Sequence, residues 1–142
     1  MGAYLEIPKF LSKNETLKVE LGSVQFGVGR GIRSQTGSSS KREASAPNIS
    51  EIVITRTMDK YSPLFFQESV SGKGLSMTIY LTQGSGKTAS IYLTIHLENV
   101  LISGYYVSNG GDKPTETITL NFTKIEYKYT AHAEDAPSGW TL

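Results

Sequence analysis

Few residues of this 142-residue chain have the types and spacing that catalysis requires. Residues 84–88, GSGKT, resemble the end of a phosphate-binding P-loop, but that motif needs a glycine at the position held by Leu81. The flanking residues also predict a hairpin turn, whereas a P-loop joins a strand to a helix. The same stretch lacks the Gly-x-Ser-x-Gly pattern of a nucleophile elbow. We therefore expect neither a phosphate site nor a serine nucleophile.

The two histidines are the remaining candidates for chemistry. His96 falls on the polar face of a predicted strand, and His132 falls in a polar tail. Neither stands in a pattern of further ligands that would predict a metal site. The absence of cysteine excludes a disulfide framework, a zinc–thiolate site and a cysteine nucleophile. We expect hydrogen-bonded or solvated histidines, no metal, no cofactor and no enzymatic activity.

A Gly/Ser-rich stretch, residues 29–48, has no hydrophobic periodicity and an excess of positive charge. Its basic residues are Arg30, Arg33, Lys41 and Arg42. Only Glu43 opposes them, so the local charge is +3. Nucleic acid phosphates would attract such a stretch, but it has no aromatic residue for base stacking and the whole chain carries only +1. Because long irregular loops are usually functional or flexible, we predict a protein-contact loop, with a solvated loop as the alternative.

Alternating apolar residues predict strands along most of the chain. The predicted strands lie near residues 3–7, 17–29, 50–57, 75–82, 88–97, 99–107 and 115–130. Two of them change their buried face, at Gly22–Ser23 and near Thr123–Lys124, which requires an extra residue, a β-bulge or a strand that is packed on both faces. Such a strand is typical of a sheet that curls into a barrel.

One short helix is predicted at residues 62–71. Ser62 is a good N-cap, Pro63 suits the first helical position, and Gly72 suits the end. A helix of this length is unstable alone, so its apolar residues must dock on a sheet.

The apolar strand faces predict the core. Residues expected to be nearly fully buried are Ile52, Ile54, Ile79, Leu81, Leu93, Ile95, Leu120 and Phe122. Truncation of one of them, such as Leu93→Ala, is expected to cost about 2–5 kcal/mol.

Length and composition predict a single globular domain, residues 1–142. The N-terminus has no apolar segment typical of a signal peptide, and no apolar run approaches the ~20 residues of a membrane span. The residues alone therefore predict a soluble β-barrel or β-sandwich with one helix and no catalytic site.

Several segments of the sequence resemble those of a known protein family and so extend this prediction. Residues 59–64 read DKYSPL and are followed by SGK at 71–73. Residues 92–103 read YLTIHLENVLIS, residues 114–122 read PTETITLNF, and Gly139–Trp140 stands near the end. In combination, these segments resemble the Hcp family, the hemolysin-coregulated tube proteins of type VI secretion systems.

The resemblance implies a small β-barrel of two packed antiparallel sheets with one short flanking α-helix. It implies hexameric rings that stack into a hollow tube, with the tube-tip, sheath and effector proteins of the secretion machine as partners. Such a protein is cytoplasmic before firing and then secreted without a cleaved signal peptide, with no nucleic acid partner and no membrane insertion. A loop between early strands reaches a neighbouring subunit in this family, which fits residues 29–48.

The alternative is a stand-alone ligand- or carbohydrate-binding β-barrel, monomeric and with an aromatic pocket.

Overall fold

The computed structural model describes residues 2–12, 14–29, 32–34, 42–44, 48–83, 90–130 and 140–141. The strands are β1 (Gly2–Ser12), β2 (Glu15–Leu21), β3 (Ser23–Gln25), β4 (Val28–Gly29), β5 (Ile32–Ser34), β6 (Arg42–Ala44), β7 (Asn48–Ile49), β8 (Ile52–Thr57), β9 (Leu75–Gln83), β10 (Ser90–Ser108), β11 (Thr115–Asn121), β12 (Lys124–Tyr129) and β13 (Trp140–Thr141). The helix is α1 (Ser62–Ser71). Among the described residues, no helix is long and apolar enough to cross a bilayer.

Nine of the described strands form two antiparallel sheets that share the long strand β10. Sheet 1 has the order β2-β1-β9-β10-β12-β13 and uses the first half of β10. Sheet 2 has the order β10-β11-β8-β3 and uses the second half of β10, from Leu101 to Ser108. The predicted fold, two antiparallel sheets with one flanking helix, is confirmed.

Both predicted changes of buried face mark points where the chain leaves one sheet for the other. Gly22 separates β2 from β3, and its N–H donates to the carbonyl of Thr55 at 2.7 Å. Thr123 separates β11 from β12, and its N–H donates to the carbonyl of Glu98 at 3.2 Å. A third crossing lies inside β10, where Asn99 has φ 54° and the register with β9 shifts. The two strands predicted at 88–97 and 99–107 are therefore one bent strand, because asparagine tolerates the left-handed conformation better than most residues.

Helix α1 has the predicted bounds, but its first turn differs from the prediction. Tyr61 occupies the N-cap position, and Ser62 is the first helical residue. The Ser62 hydroxyl accepts the N–H of Asp59 at 3.0 Å, while the Asp59 carboxylate accepts the N–H of Tyr61 at 2.9 Å. The helix ends before Gly72, where an added Cβ would lie 2.6 Å from the carbonyl oxygen of Glu68.

The core lies between the two sheets and under α1. The predicted core residues Ile52, Ile54, Ile79, Ile95 and Leu120 are confirmed as buried. The prediction is wrong for three others, Leu81, Leu93 and Phe122, which are half-buried and pack against the core margin. Leu81 and Leu93 pair with each other near the ends of β9 and β10, and Phe122 lies between β11 and β12. Alternation assigns these three side chains to the core face of their strands, but at their positions solvent reaches part of that face.

This difference predicts unequal costs of truncation. Ile79→Ala removes a fully buried side chain that pairs with Ile95, so we expect it to lower the free energy of unfolding by about 2–5 kcal/mol. Leu93→Ala is the matched control and should cost less, because its side chain already meets solvent. Urea denaturation of both variants measures the difference, and equal losses would contradict the assignment.

The region predicted to be irregular, residues 29–48, is instead paired with itself wherever the structure describes it. Strand β4 pairs with β7, and β5 pairs with β6, each antiparallel. We call residues 28–49 the hairpin arm. The strands β5 and β6 form a sheet of their own and pair with no other described strand. The prediction failed here because runs of two or three residues are too short to show the period of a strand.

Candidate assembly surface

A buried ion pair joins the two central strands of sheet 2, one residue from the end of each. Arg56 on β8 and Glu116 on β11 occupy opposite register positions, and their side chains are 1% and 0% exposed. The guanidinium Nη1 donates to the Glu116 carboxylate at 2.6 Å. A buried charge is strongly destabilising when it lacks a partner. The groups that contact Arg56 and Glu116 therefore determine how much this pair contributes to stability.

Further groups complete what we call the Arg56 cluster. Arg56 Nη2 lies 2.5 Å from the carboxylate of Asp59, and the Tyr105 hydroxyl donates to Glu116 Oε1 at 2.6 Å. The guanidinium also lies over the ring of Phe65 on α1, 4.9 Å from its centroid. Among the described residues, the Arg56 Nε is the buried side-chain polar atom that has no hydrogen-bond partner. The cluster therefore ties β8, β10 and β11 to the helix.

The surroundings shift the pKa values of three of these groups. Burial acts to lower the pKa of Arg56, but the hydrogen bonds and charges of Asp59 and Glu116 outweigh it and raise that pKa. Burial acts to raise the pKa of Asp59, but hydrogen bonds from Arg56 and the Tyr61 N–H outweigh it and lower that pKa. Burial, together with the hydrogen bond to Glu116, raises the pKa of Tyr105 to about 12.

The raised pKa of Tyr105 predicts a specific loss of stability in base. The folded state favours the protonated phenol, so its contribution is complete below pH 10, the ordinary pKa, and is lost as the pH rises through about 12. Tyr105→Phe has no phenol to titrate and should lose less stability over the same interval. Denaturation curves of both proteins between pH 9 and pH 12 measure the two losses of stability. Subtracting one loss from the other removes the effect of lysine titration, because both proteins share it. Parallel curves would mean that Tyr105 is not held in the cluster.

Two of the sequence motifs meet in the cluster. Asp59 and Ser62 belong to the DKYSPL segment, and Glu116 belongs to PTETITLNF. Sequence analysis missed Arg56 and Tyr105 as their partners. A signal for Arg56 was available, because it follows Ile52 and Ile54 on the apolar face of its strand. A charged residue at a core position predicts a buried partner of opposite charge.

An apolar groove of about 470 Å³ opens beside the cluster, between α1 and β10. It is lined mainly by Met58, Pro63, Phe66, Tyr105 and Val107. Phe66 is 57% exposed and Val107 49% exposed, although both are large and apolar. The ring of Phe66 meets that of Tyr105 edge-on at 5.9 Å. Clustered exposed apolar residues mark protein contact sites, so the groove is a candidate for assembly.

The two predicted contact residues that the structure describes, Arg33 and Arg42, do not line this groove. Arg33 stands in β5 opposite Glu43, and Arg42 stands in β6 opposite Ser34. The other two, Arg30 and Lys41, lie outside the described residues. The contact of these four residues with a neighbouring subunit stays a prediction.

The residues considered for chemistry do not form a site where they are described. His96 Nδ1 shares a hydrogen bond with the Thr78 hydroxyl at 2.9 Å, and its Nε2 lies 3.8 Å from the Glu98 carboxylate. Within the described ranges, no three His, Cys, Asp or Glu residues are close enough to hold a metal ion. The segment 84–88 and His132 lie outside those ranges.

A barrel with a docked outer helix, a hairpin whose described strands pair only with each other and an exposed apolar groove has the features of a protein that acts by binding other proteins. The sequence matches the family described as "Type VI secretion system effector, Hcp" over residues 11–129. The chain belongs to this family.

Individual relatives agree with this assignment. The chain is 30% identical to "Protein hcp1" of Pseudomonas aeruginosa over 107 residues, 67% of this chain and 65% of that protein, so the match spans less than two thirds of the relative. Its fold is similar to "Structure of a type six secretion system protein", with a TM-score of 0.77, 18% identity and coverage of 99% of this chain and 95% of the other. It is also similar to a chain of the 6-fold symmetrised cryo-EM structure of the anti-feeding prophage baseplate, with a TM-score of 0.63, 12% identity and coverage of 88% and 91%. These comparisons do not support a stand-alone ligand-binding barrel.

Proposed function

We propose that this chain is a structural subunit of a type VI secretion tube. It forms hexameric rings that stack into a hollow tube, and the tube carries or delivers effector proteins. Its partners are other copies of itself and the tube-tip, sheath and effector proteins of the machine. It acts as one domain, without enzymatic activity, and it leaves the cell with the tube.

Membership of the Hcp family, matched over residues 11–129, is the observation that carries this proposal. The fold supports it, because the described residues include an apolar groove and a hairpin arm whose described strands pair only with each other. Repeated contacts between unlike surfaces produce closed rings when the rotation closes and open stacks when it does not. A tube needs both kinds of contact.

Electron microscopy and mass measurement of the purified protein test the proposal. Each chain has a mass of 15.5 kDa, so a six-membered ring has a mass of 6 × 15.5 = 93 kDa. We expect annular particles with six subunits and an open centre. A protein that remains a 15.5 kDa monomer at every concentration up to the millimolar range would overturn the proposal.

The basic residues of the hairpin arm give a second test. We expect replacement of Arg30, Arg33, Lys41 and Arg42 by glutamine to weaken assembly, because exposed ion pairs contribute about 0.2–1 kcal/mol each and recur in every copy. The effect should be largest at low salt, where screening is weakest. The matched control replaces Lys60, Lys73, Lys113 and Lys124, which removes the same charge elsewhere. Equal oligomer masses for the two variants, measured by mass photometry across a salt series, would remove the role of the arm charges.

A further inference from the structure

The turn between β10 and β11 contains an asparagine that is followed by a glycine. Asn109 and Gly110 come directly after the last residue of β10, and the turn continues to Pro114. Both residue types are common in turns, because they tolerate backbone conformations that other residues avoid. The pair also has a covalent chemistry of its own, because asparagine is one of the thermolabile residues.

We propose that Asn109 is a site of spontaneous modification, at which asparagine is converted to isoaspartate and aspartate. The backbone nitrogen of Gly110 loses its proton and attacks the side-chain Cγ of Asn109. A new C–N bond forms, the bond from Cγ to the amide nitrogen breaks, and that nitrogen takes up a proton and leaves as ammonia. Water then opens the resulting succinimide ring at either of its carbonyls, which gives isoaspartate or aspartate and adds a negative charge. Water is the only co-reactant.

The structure leaves both reacting groups of this pair accessible. Asn109 and Gly110 are exposed, and a Cβ added to Gly110 would meet no heavy atom within 4 Å, so the ring has room to form. No described residue forms a hydrogen bond with the Asn109 side chain or with the Gly110 N–H. The attacking nitrogen can therefore lose its proton without breaking a bond of the fold.

The other asparagines of the chain are less able to react in this way. They are Asn14, Asn48, Asn99 and Asn121, and the residues that follow them are Glu15, Ile49, Val100 and Phe122. A side chain on the following residue hinders the approach of its backbone nitrogen to Cγ. All of these asparagines except Asn14 also lie within strands, which hold the backbone extended. We therefore expect the modification to be selective for Asn109.

The turn can accept the product without loss of the fold. Its ends are held by the barrel, since Ser108 pairs with Thr115 and the N–H of Met58 donates to the carbonyl of Pro114 at 3.0 Å. Isoaspartate lengthens the backbone by a single carbon atom, and this change falls between those anchored ends. The formal net charge of the chain changes from +1 to +1 − 1 = 0. Modified and unmodified chains should therefore share one fold and separate by charge.

Two alanine variants in the same turn test the proposal. Gly110→Ala places a side chain on the attacking residue, whereas Gly111→Ala keeps the Asn109–Gly110 pair and is the matched control. A Cβ at either position meets nothing within 4 Å and neither glycine has a positive φ, so both variants should fold like the parent. All three proteins are incubated, folded, in mildly alkaline buffer, which favours loss of the amide proton. Ion exchange and mass spectrometry of the peptide that contains residue 109 measure the conversion.

We expect the Asn109 peptide of the parent to gain the difference in mass between water and ammonia. Gly110→Ala should slow this conversion at least about tenfold, equivalent to a barrier higher by about 1.4 kcal/mol, and Gly111→Ala should leave the rate unchanged. An Asn109 that stays intact in the folded parent, or equal rates in the parent and Gly110→Ala, would overturn the proposal. The inference does not rest on the proposed function, so neither result would alter that assignment.

Discussion

Glu116→Ala is expected to lower the free energy of unfolding by about 3–5 kcal/mol. The change removes the partner of a guanidinium that is 1% exposed, and it also takes away the acceptor of the Tyr105 hydroxyl. The remaining partner of Arg56, Asp59, is bound at the other guanidinium nitrogen and satisfies only part of the charge. Chemical denaturation measures the loss. We expect Arg56→Ala to have an effect of the same size, because it leaves the Glu116 carboxylate buried without its cation.

A paired replacement separates the cost of an unpaired charge from the net contribution of the pair. Arg56→Met combined with Glu116→Leu removes both buried charges and keeps apolar volume in their place. We expect the double variant to be more stable than either single variant, because apolar replacements of buried ion pairs are often nearly neutral. A double variant as unstable as the sum of the two single variants would contradict this account of the Arg56 cluster.

Phe65→Ala should have the second large effect, about 3–5 kcal/mol. The ring of Phe65 is fully buried, lies 5.9 Å from the ring of Phe10 and stacks under the Arg56 guanidinium. Its loss leaves a cavity beneath α1, and a ten-residue helix has little stability without that docking. We expect reduced helical circular dichroism below the main unfolding transition as well as a lower midpoint.

The neighbouring residue supplies the control. Phe66 has the same chemistry one position later, but its ring is 57% exposed. Phe66→Ala should therefore change the free energy of unfolding by much less, while it weakens assembly if the groove is an assembly surface. If both alanine variants lost the same stability, α1 would not be anchored through Phe65.

The sequence by itself determined the elements whose signals are local. Alternation of apolar residues placed most barrel strands, and Pro63 with Gly72 placed the helix at residues 62–71. The changes of apolar phase near Gly22 and Thr123 also located two crossings between the sheets. These features depend on a few neighbouring residues, so their physical cause is present in any short window of the chain.

Only the tertiary structure decided which distant residues meet. Arg56 and Glu116 are sixty positions apart, and they pair because the register of β8 and β11 sets them opposite each other. The half-burial of Leu81 and Leu93 depends on how far the covering elements extend, which alternation does not encode. The strands of the hairpin arm form because two short segments can satisfy each other's backbone hydrogen bonds, although neither has the length or periodicity to predict a strand alone. The groove likewise exists only where α1, β8 and β10 come together, because its lining residues lie almost fifty positions apart.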